Sequence, residues 1–173
     1  MTTTAADQAR WQFDFAWSFF DYHLQRLAPE DFLWEPGPLV WTMHPTEDGG
    51  WRPDFAEVEP DPIPVPTIGW VSWHLGWWWS VACDHARGRT PRAREEILWP
   101  GPGEPTVAWL RSLHDTWHDV LARADEEDLA LPAAYPWPAD AGLTRAHLYS
   151  FAAVELTKNA AEIGQLRLLR AAR

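Results

Sequence analysis

Apolar residues between positions 7 and 28 recur as Phe13, Trp17, Phe20, Leu24 and Leu27. Spacings of four and three are those of a helix seam packed in a bundle, and Pro29 stops the run. Trp11, Phe15, Phe19 and Tyr22 widen the apolar face, so this first helix is expected to be covered on more than one side. Nine prolines then interrupt the chain from Pro29 to Pro66, among Trp34, Val40, Trp41, Trp51 and Phe55. So apolar a connection should be ordered, and one that long commonly forms the wall or lid of a site. Thr67 can cap a second helix that runs to Arg87 and stops near Gly88. A third spans Thr106 to Ala124, with Leu110, Leu113, Trp117 and either Val120 or Leu121 on one face. The acidic "ADEEDL" ends it, "LPAAYPWPADAG" makes a loop, and a fourth helix runs from a Thr144 cap to Leu169. No run of alternating β-branched residues predicts a dependable strand. The pattern predicts an all-α fold, a four-helix bundle in one domain over residues 1–173.

Helical phase next asks which polar residues face inward. On the second helix, "WVSWHLGWWW" places His74 within about 40° of Trp70 and Trp78. With Trp73, Trp77 and Trp79 on other sectors, this helix is apolar almost all round, as a buried or interfacial helix is. On the fourth helix, Phe151, Val154, Ala161 and Leu169 mark a stripe into which Lys158, Glu162 and Gln165 fall, with His147 on the same line. Charges on an inward face need a partner, water or a function. The competing reading is a half-exposed ion pair one turn apart. His114 and His118 have the i,i+4 spacing of a metal pair but flank their stripe beside Asp115 and Asp119, which suits a solvated face. His23 and His44 can each reach a pocket, although spacing does not place them.

Composition narrows the partners. The net charge of −11 repels phosphate backbones and anionic membranes, so nucleic acid is disfavoured. No apolar run reaches the roughly 18 residues of a membrane span, and no basic n-region opens the chain, which points to the cytoplasm. Cys83 is the one cysteine, which rules out an internal disulfide and reads as a small buried hydrophobe. The 14 tryptophans suit a cleft or an interface, where an indole N–H can find a partner. Neither a phosphate-binding glycine loop nor a nucleophile elbow is present.

The stretches "DFLWEPGPLVWTMHP", "PDPIPVPTIGWVSWHLG", "WPGPGEPTVAWL" and "VELTKNAAEIGQLRLLRA", in that order, resemble the DinB-like superfamily, specifically its actinobacterial members. The resemblance covers most of the chain from residue 30 onward. It implies an up-down-down-up bundle, often a homodimer, with a divalent metal such as zinc or nickel held between helices. One ligand of such sites is a histidine matching His74. Two more come from the last helix, at positions matching Lys158 and Glu162. An ammonium has no lone pair to give a metal, and Asn159 stands where many relatives have another histidine. The implied site is therefore degenerate, with His74 and Glu162 as metal donors, or it holds no metal and Lys158 takes the ion's place.

Two classes of function follow from the resemblance and the inward polar residues. The first is a small-molecule enzyme, a thiol-dependent transferase or an isomerase, with mycothiol as the implied co-substrate. Its catalytic groups would be His74, Lys158 and Glu162. Trp70, Trp78, His23, His44 and Asn159 would line a cleft for a flat apolar or aromatic molecule. The second is a bundle without catalysis that binds a small ligand or serves dimerisation.

Overall fold

A computed structural model describes residues 3–173 of the chain. Helix α1 (Ala5–Leu24) begins at a reciprocal cap: the Thr4 hydroxyl accepts from the Asp7 amide at 3.1 Å, and the Asp7 carboxylate accepts from the Thr4 amide. Phe13, Ala16, Phe20 and Leu24 form its buried seam. The aromatic residues expected to be covered on a further side are not. Trp11 is 63% exposed, and Phe15, Phe19 and Tyr22 are each 50% exposed. Two aromatic registers share one helix, and only one faces the core.

The proline-rich connection contains four short strands that the sequence pattern did not predict. Strand β1 (Val40–Trp41) pairs in parallel with β4 (Val65–Pro66), and β2 (Met43–Pro45) pairs antiparallel with β3 (Trp51–Pro53). Two or three residues are too few to show alternation. Pro45, Pro53 and Pro66 each stand last in their strand, where a missing N–H costs the ladder least. The β2–β3 hairpin turns through Gly49, whose φ of 82° suits glycine.

Thr67 caps α2 (Ile68–Ala86) by accepting from the Trp70 amide at 3.3 Å. Helix α3 (Glu104–Arg123) starts two residues earlier than the pattern suggested, after Gly103 at φ 81° and with Pro105 in its first turn. The acidic "EEDLA" does not simply end α3. It forms a separate turn of helix, α4 (Glu126–Ala130), capped by Asp125. Helix α5 (Arg145–Ala171) follows the Thr144 cap.

Helix α1 packs on α5 and α3, and α2 packs on the same two. His23 of α1 lies on Gly164 of α5, where a Cβ would come within 2.6 Å of its Nε2. Gly76 of α2 admits the ring of Trp109 from α3, and Arg87 donates to the Thr116 carbonyl at 3.2 Å. Fifteen residues of α2 are buried, matching its all-round apolar pattern. No helix among the described residues is long and apolar enough to cross a membrane.

Candidate functional site

His74 projects from the first half of α2 into aromatic company supplied by its own helix. One turn back, Trp70 stacks on it with ring centroids 5.2 Å apart and planes within 7°. Trp77 meets it edge-on at 5.9 Å. Trp70 is in turn sandwiched by Trp41 of β1 at 4.9 Å, and its indole N–H donates to the Asp54 carbonyl at 2.7 Å. Phe55 lies edge-on to Trp77 at 6.0 Å. The proline-rich connection thus walls the half of α2 that carries His74. Burial, reinforced by the positive charge of Lys158 and opposed by Glu155, lowers the His74 pKa to about 4, so its imidazole is neutral at pH 7.

Helix α5 presents a different face from the one its sequence suggested. Its buried residues include Ala152, Leu156, Asn159, Ala160, Ile163 and Gly164, whereas Val154 is 65% exposed and Leu169 46%. The stripe that turns inward sets Leu148, Leu156, Ile163 and Leu166 among Ala152, Ala153, Ala160 and Gly164, whose small size allows close approach of α1 and α2. A phase drawn from Val154 and Leu169 follows the outer side of the helix instead. Lys158 accordingly lies on an exposed edge, and its ammonium pairs with Glu155, three residues back, at 2.8 Å. The pairing expected with Glu162 is not made. Glu162 instead accepts from the Asn159 amide at 2.8 Å. Asn159, fully buried, accepts from the Trp78 indole N–H at 3.1 Å.

Trp78 and Asn159 are therefore joined in a buried polar link beside His74 rather than lining an open cleft with it. Glu155 is the functional candidate that sequence reasoning missed. Its signal was its position one turn before Asn159, on the flank of α5 facing α2, and it became readable only with the correct phase. The remaining histidines do not join this group. His23 sits against Gly164 and accepts from Arg167 Nε at 3.3 Å. His44 bonds the Asp54 carboxylate through Nε2 at 2.8 Å on an exposed strand. His147 caps its own helix by accepting from the Thr144 amide. His114 is not on a solvated face as expected: it stacks on Trp17 at 4.2 Å, while His118 is exposed. Cys83 is buried, and burial pushes its thiol pKa up to about 12, which fits a hydrophobe rather than a nucleophile.

A family model described as the DinB superfamily matches residues 12–163. The chain belongs to the DinB superfamily. No curated protein and no solved structure matches it at a significant level.

The divalent metal that the DinB resemblance implies can be tested against the donor set of this chain. Among the described residues no three His, Cys, Asp or Glu side chains come together as metal ligands. Near His74 the last helix offers Glu155 and an ammonium, and a cation beside Lys158 would be repelled. The expected pair of His74 and Glu162 thus does not fit a resident metal centre. An apolar groove of about 640 Å³ lies between α1 and α5 of this DinB protein, with Trp11, Phe15 and Phe19 on one side and Val154, Thr157 and Lys158 on the other. Lys158 stands at the lip between this groove and the His74 surface.

Proposed function

We propose that this DinB-superfamily protein is an up-down-down-up four-helix bundle that isomerises a small aromatic carbonyl compound at His74, Glu155 and Lys158. The helix order is supported by contacts at matching heights. His23 lies on Gly164, and Trp11 and Ser150 line one groove, as expected of parallel α1 and α5. Gly76 with Trp109 and Arg87 with Thr116 make α2 and α3 parallel.

The observation that carries the reaction is a neutral imidazole held by Trp70 within the field of an ammonium and a carboxylate. A histidine that stays neutral down to about pH 4 is a weak base and a serviceable hydrogen-bond donor. The roles divide accordingly. The Glu155 carboxylate takes a proton from the carbon next to the carbonyl, and the C–H electron pair moves through the new C=C onto the oxygen. Lys158 and the His74 N–H stabilise the resulting enolate oxygen, and a proton returned to that oxygen completes the enol. Thiol-dependent transfer, with mycothiol or another thiol, is less favoured because it asks the weak base His74 to ionise a thiol.

Tautomerisation of phenylpyruvate, followed by its enol absorbance, tests the reading. The full chain should exceed buffer catalysis, with Glu155→Gln lowering the rate about 10²-fold or more. A rate equal to buffer, with no tryptophan quenching by phenylpyruvate, sinks it.

A non-catalytic reading is favoured by one observation, the aromatic edge of α1. Trp11, Phe15, Phe19, Tyr22 and Val154 together expose on the order of 500 Å². Two copies joined through this edge would bury about 1,000 Å², the lower bound for a specific interface. A homodimer through α1 is the assembly this edge suits.

A further inference from the structure

The chain has 25 acidic and 14 basic residues, yet one cleft is lined by four arginines. It has a volume of about 530 Å³ and lies where the ends of α2, α3 and α5 meet, bounded by Arg87, Arg89, Arg123, Arg145 and Tyr149. Asp128 is the lone carboxylate among the lining residues, and it is already engaged. Arg145 Nη1 pairs with one of its oxygens, and the Tyr149 hydroxyl donates to the other at 2.6 Å. No lining carboxylate remains for Arg87, Arg89 or Arg123.

Helix-end electrostatics explains only half of this cluster. Arg87 caps the C-terminus of α2 and Arg123 ends α3, where cations offset the negative ends of the helix dipoles. Arg145 is the first residue of α5, at the positive end of a helix with no acidic residue in its first turn. Arg89 lies beyond α2, its amide bonded to the Asp84 carbonyl at 2.9 Å. Arg145 is held by its pair with Asp128, whereas Arg89 has no carboxylate partner among the lining residues. Like charges gathered on one concavity, in a protein whose overall field is negative, cost stability unless an anion occupies the space.

We propose that this arginine cleft binds the phosphate group of a small molecule. Guanidinium forks match phosphate oxygens with paired hydrogen bonds, and a dianion offsets the charge that Asp128 leaves uncompensated. The volume admits one small phosphorylated compound. A nucleic acid strand is disfavoured by the net charge of −11 over the rest of the surface. His74 is 13 residues from Arg87 along α2, roughly 20 Å away, so the cleft is separate from the candidate catalytic site.

Calorimetric titration of the full chain with pyrophosphate, at ionic strength held constant with sodium chloride, tests the site. Saturable binding of one anion per chain is expected, weakened at least tenfold in Arg89→Ser/Arg123→Gln and unchanged in His74→Asn. The double variant should fold, because both side chains are exposed. Glycerol phosphate binding more tightly than inorganic phosphate would assign the site to an ester, and the reverse to the free ion. Absence of saturable binding, or equal affinity in the folded double variant, overturns the proposal whatever becomes of the reaction at His74.

Discussion

The indole N–H of Trp78 on α2 donates at 3.1 Å to the carboxamide oxygen of Asn159 on α5, with Asn159 wholly buried. This link joins two helices through polar atoms that have no access to water. Asn159→Leu leaves the indole N–H unpaired and removes the donor that holds Glu162 at 2.8 Å. The expected loss is about 1–3 kcal/mol. Chemical denaturation checks it, with Asn159→Leu/Trp78→Phe recovering part of the loss because both partners are then apolar. An Asn159→Leu variant as stable as the parent would show that the link contributes little.

Neutral His74 makes stability depend on pH. Its folded pKa of about 4 lies below the unfolded value of 6.5, so the unfolded chain binds the extra proton between those limits. The stabilisation is complete above pH 6.5 and is lost as pH falls toward 4. The loss is on the order of 2–3 kcal/mol. His23 and His85 are also lowered, chiefly by burial, and act with the same sign. His74→Phe keeps a ring against Trp70 and should flatten the acid limb of a stability-against-pH curve without abolishing it. An unchanged slope would place the His74 proton equilibrium elsewhere.

The Lys158–Glu155 pair acts on His74 more than on the fold. Lys158 is 46% exposed, so breaking the pair should change stability by about 1 kcal/mol or less. The direction of the His74 shift is more telling. Lys158 lowers its pKa and Glu155 raises it, so Lys158→Met should move the titration of His74 up and Glu155→Gln should move it down. NMR titration of the imidazole protons, assigned with His74→Phe, reads both. Shifts of the same sign in the two variants would contradict the arrangement of charges around His74.

The extent to which the sequence was legible follows from this pair. The long helices could be read because their caps and apolar periods agree, as at Thr67 and Gly88 around α2. The strands of the connection could not, because backbone pairing over two or three residues leaves no period. Lys158 stands out as a charge in the stripe of Val154 and Leu169, but α5 packs through Leu148, Leu156, Ile163 and Leu166 with Ala152, Ala160 and Gly164 among them. A phase drawn from the exposed Val154 and Leu169 therefore puts Lys158 and Glu162 on one inward stripe, whereas Lys158 pairs with Glu155. The aromatic surroundings of His74 are legible because the tryptophans around it belong to its own helix, so their relation to it is set by sequence spacing. Its neighbours on α5 depend on how two helices face each other, which local spacing does not fix.

Gly76 sets how closely α2 and α3 approach. A Cβ built there would lie 1.8 Å from the Trp109 ring, with two more ring atoms at 2.4 and 2.5 Å. No rotation of a methyl group relieves that overlap, so Gly76→Ala must push the indole out of its place or part the helices. Alanine is the better helix former, by about 1 kcal/mol, and on an open helix the substitution would stabilise. Here overpacking should reverse the sign, for a net loss of about 1–3 kcal/mol. Trp109 is only partly buried, so shortening it offers a direct control. In the Trp109→Leu background, Gly76→Ala should cost far less than in the parent and expose the helix-propensity gain. A double-mutant cycle by urea denaturation measures this coupling, and additive effects would show that Trp109 does not occupy the space above Gly76.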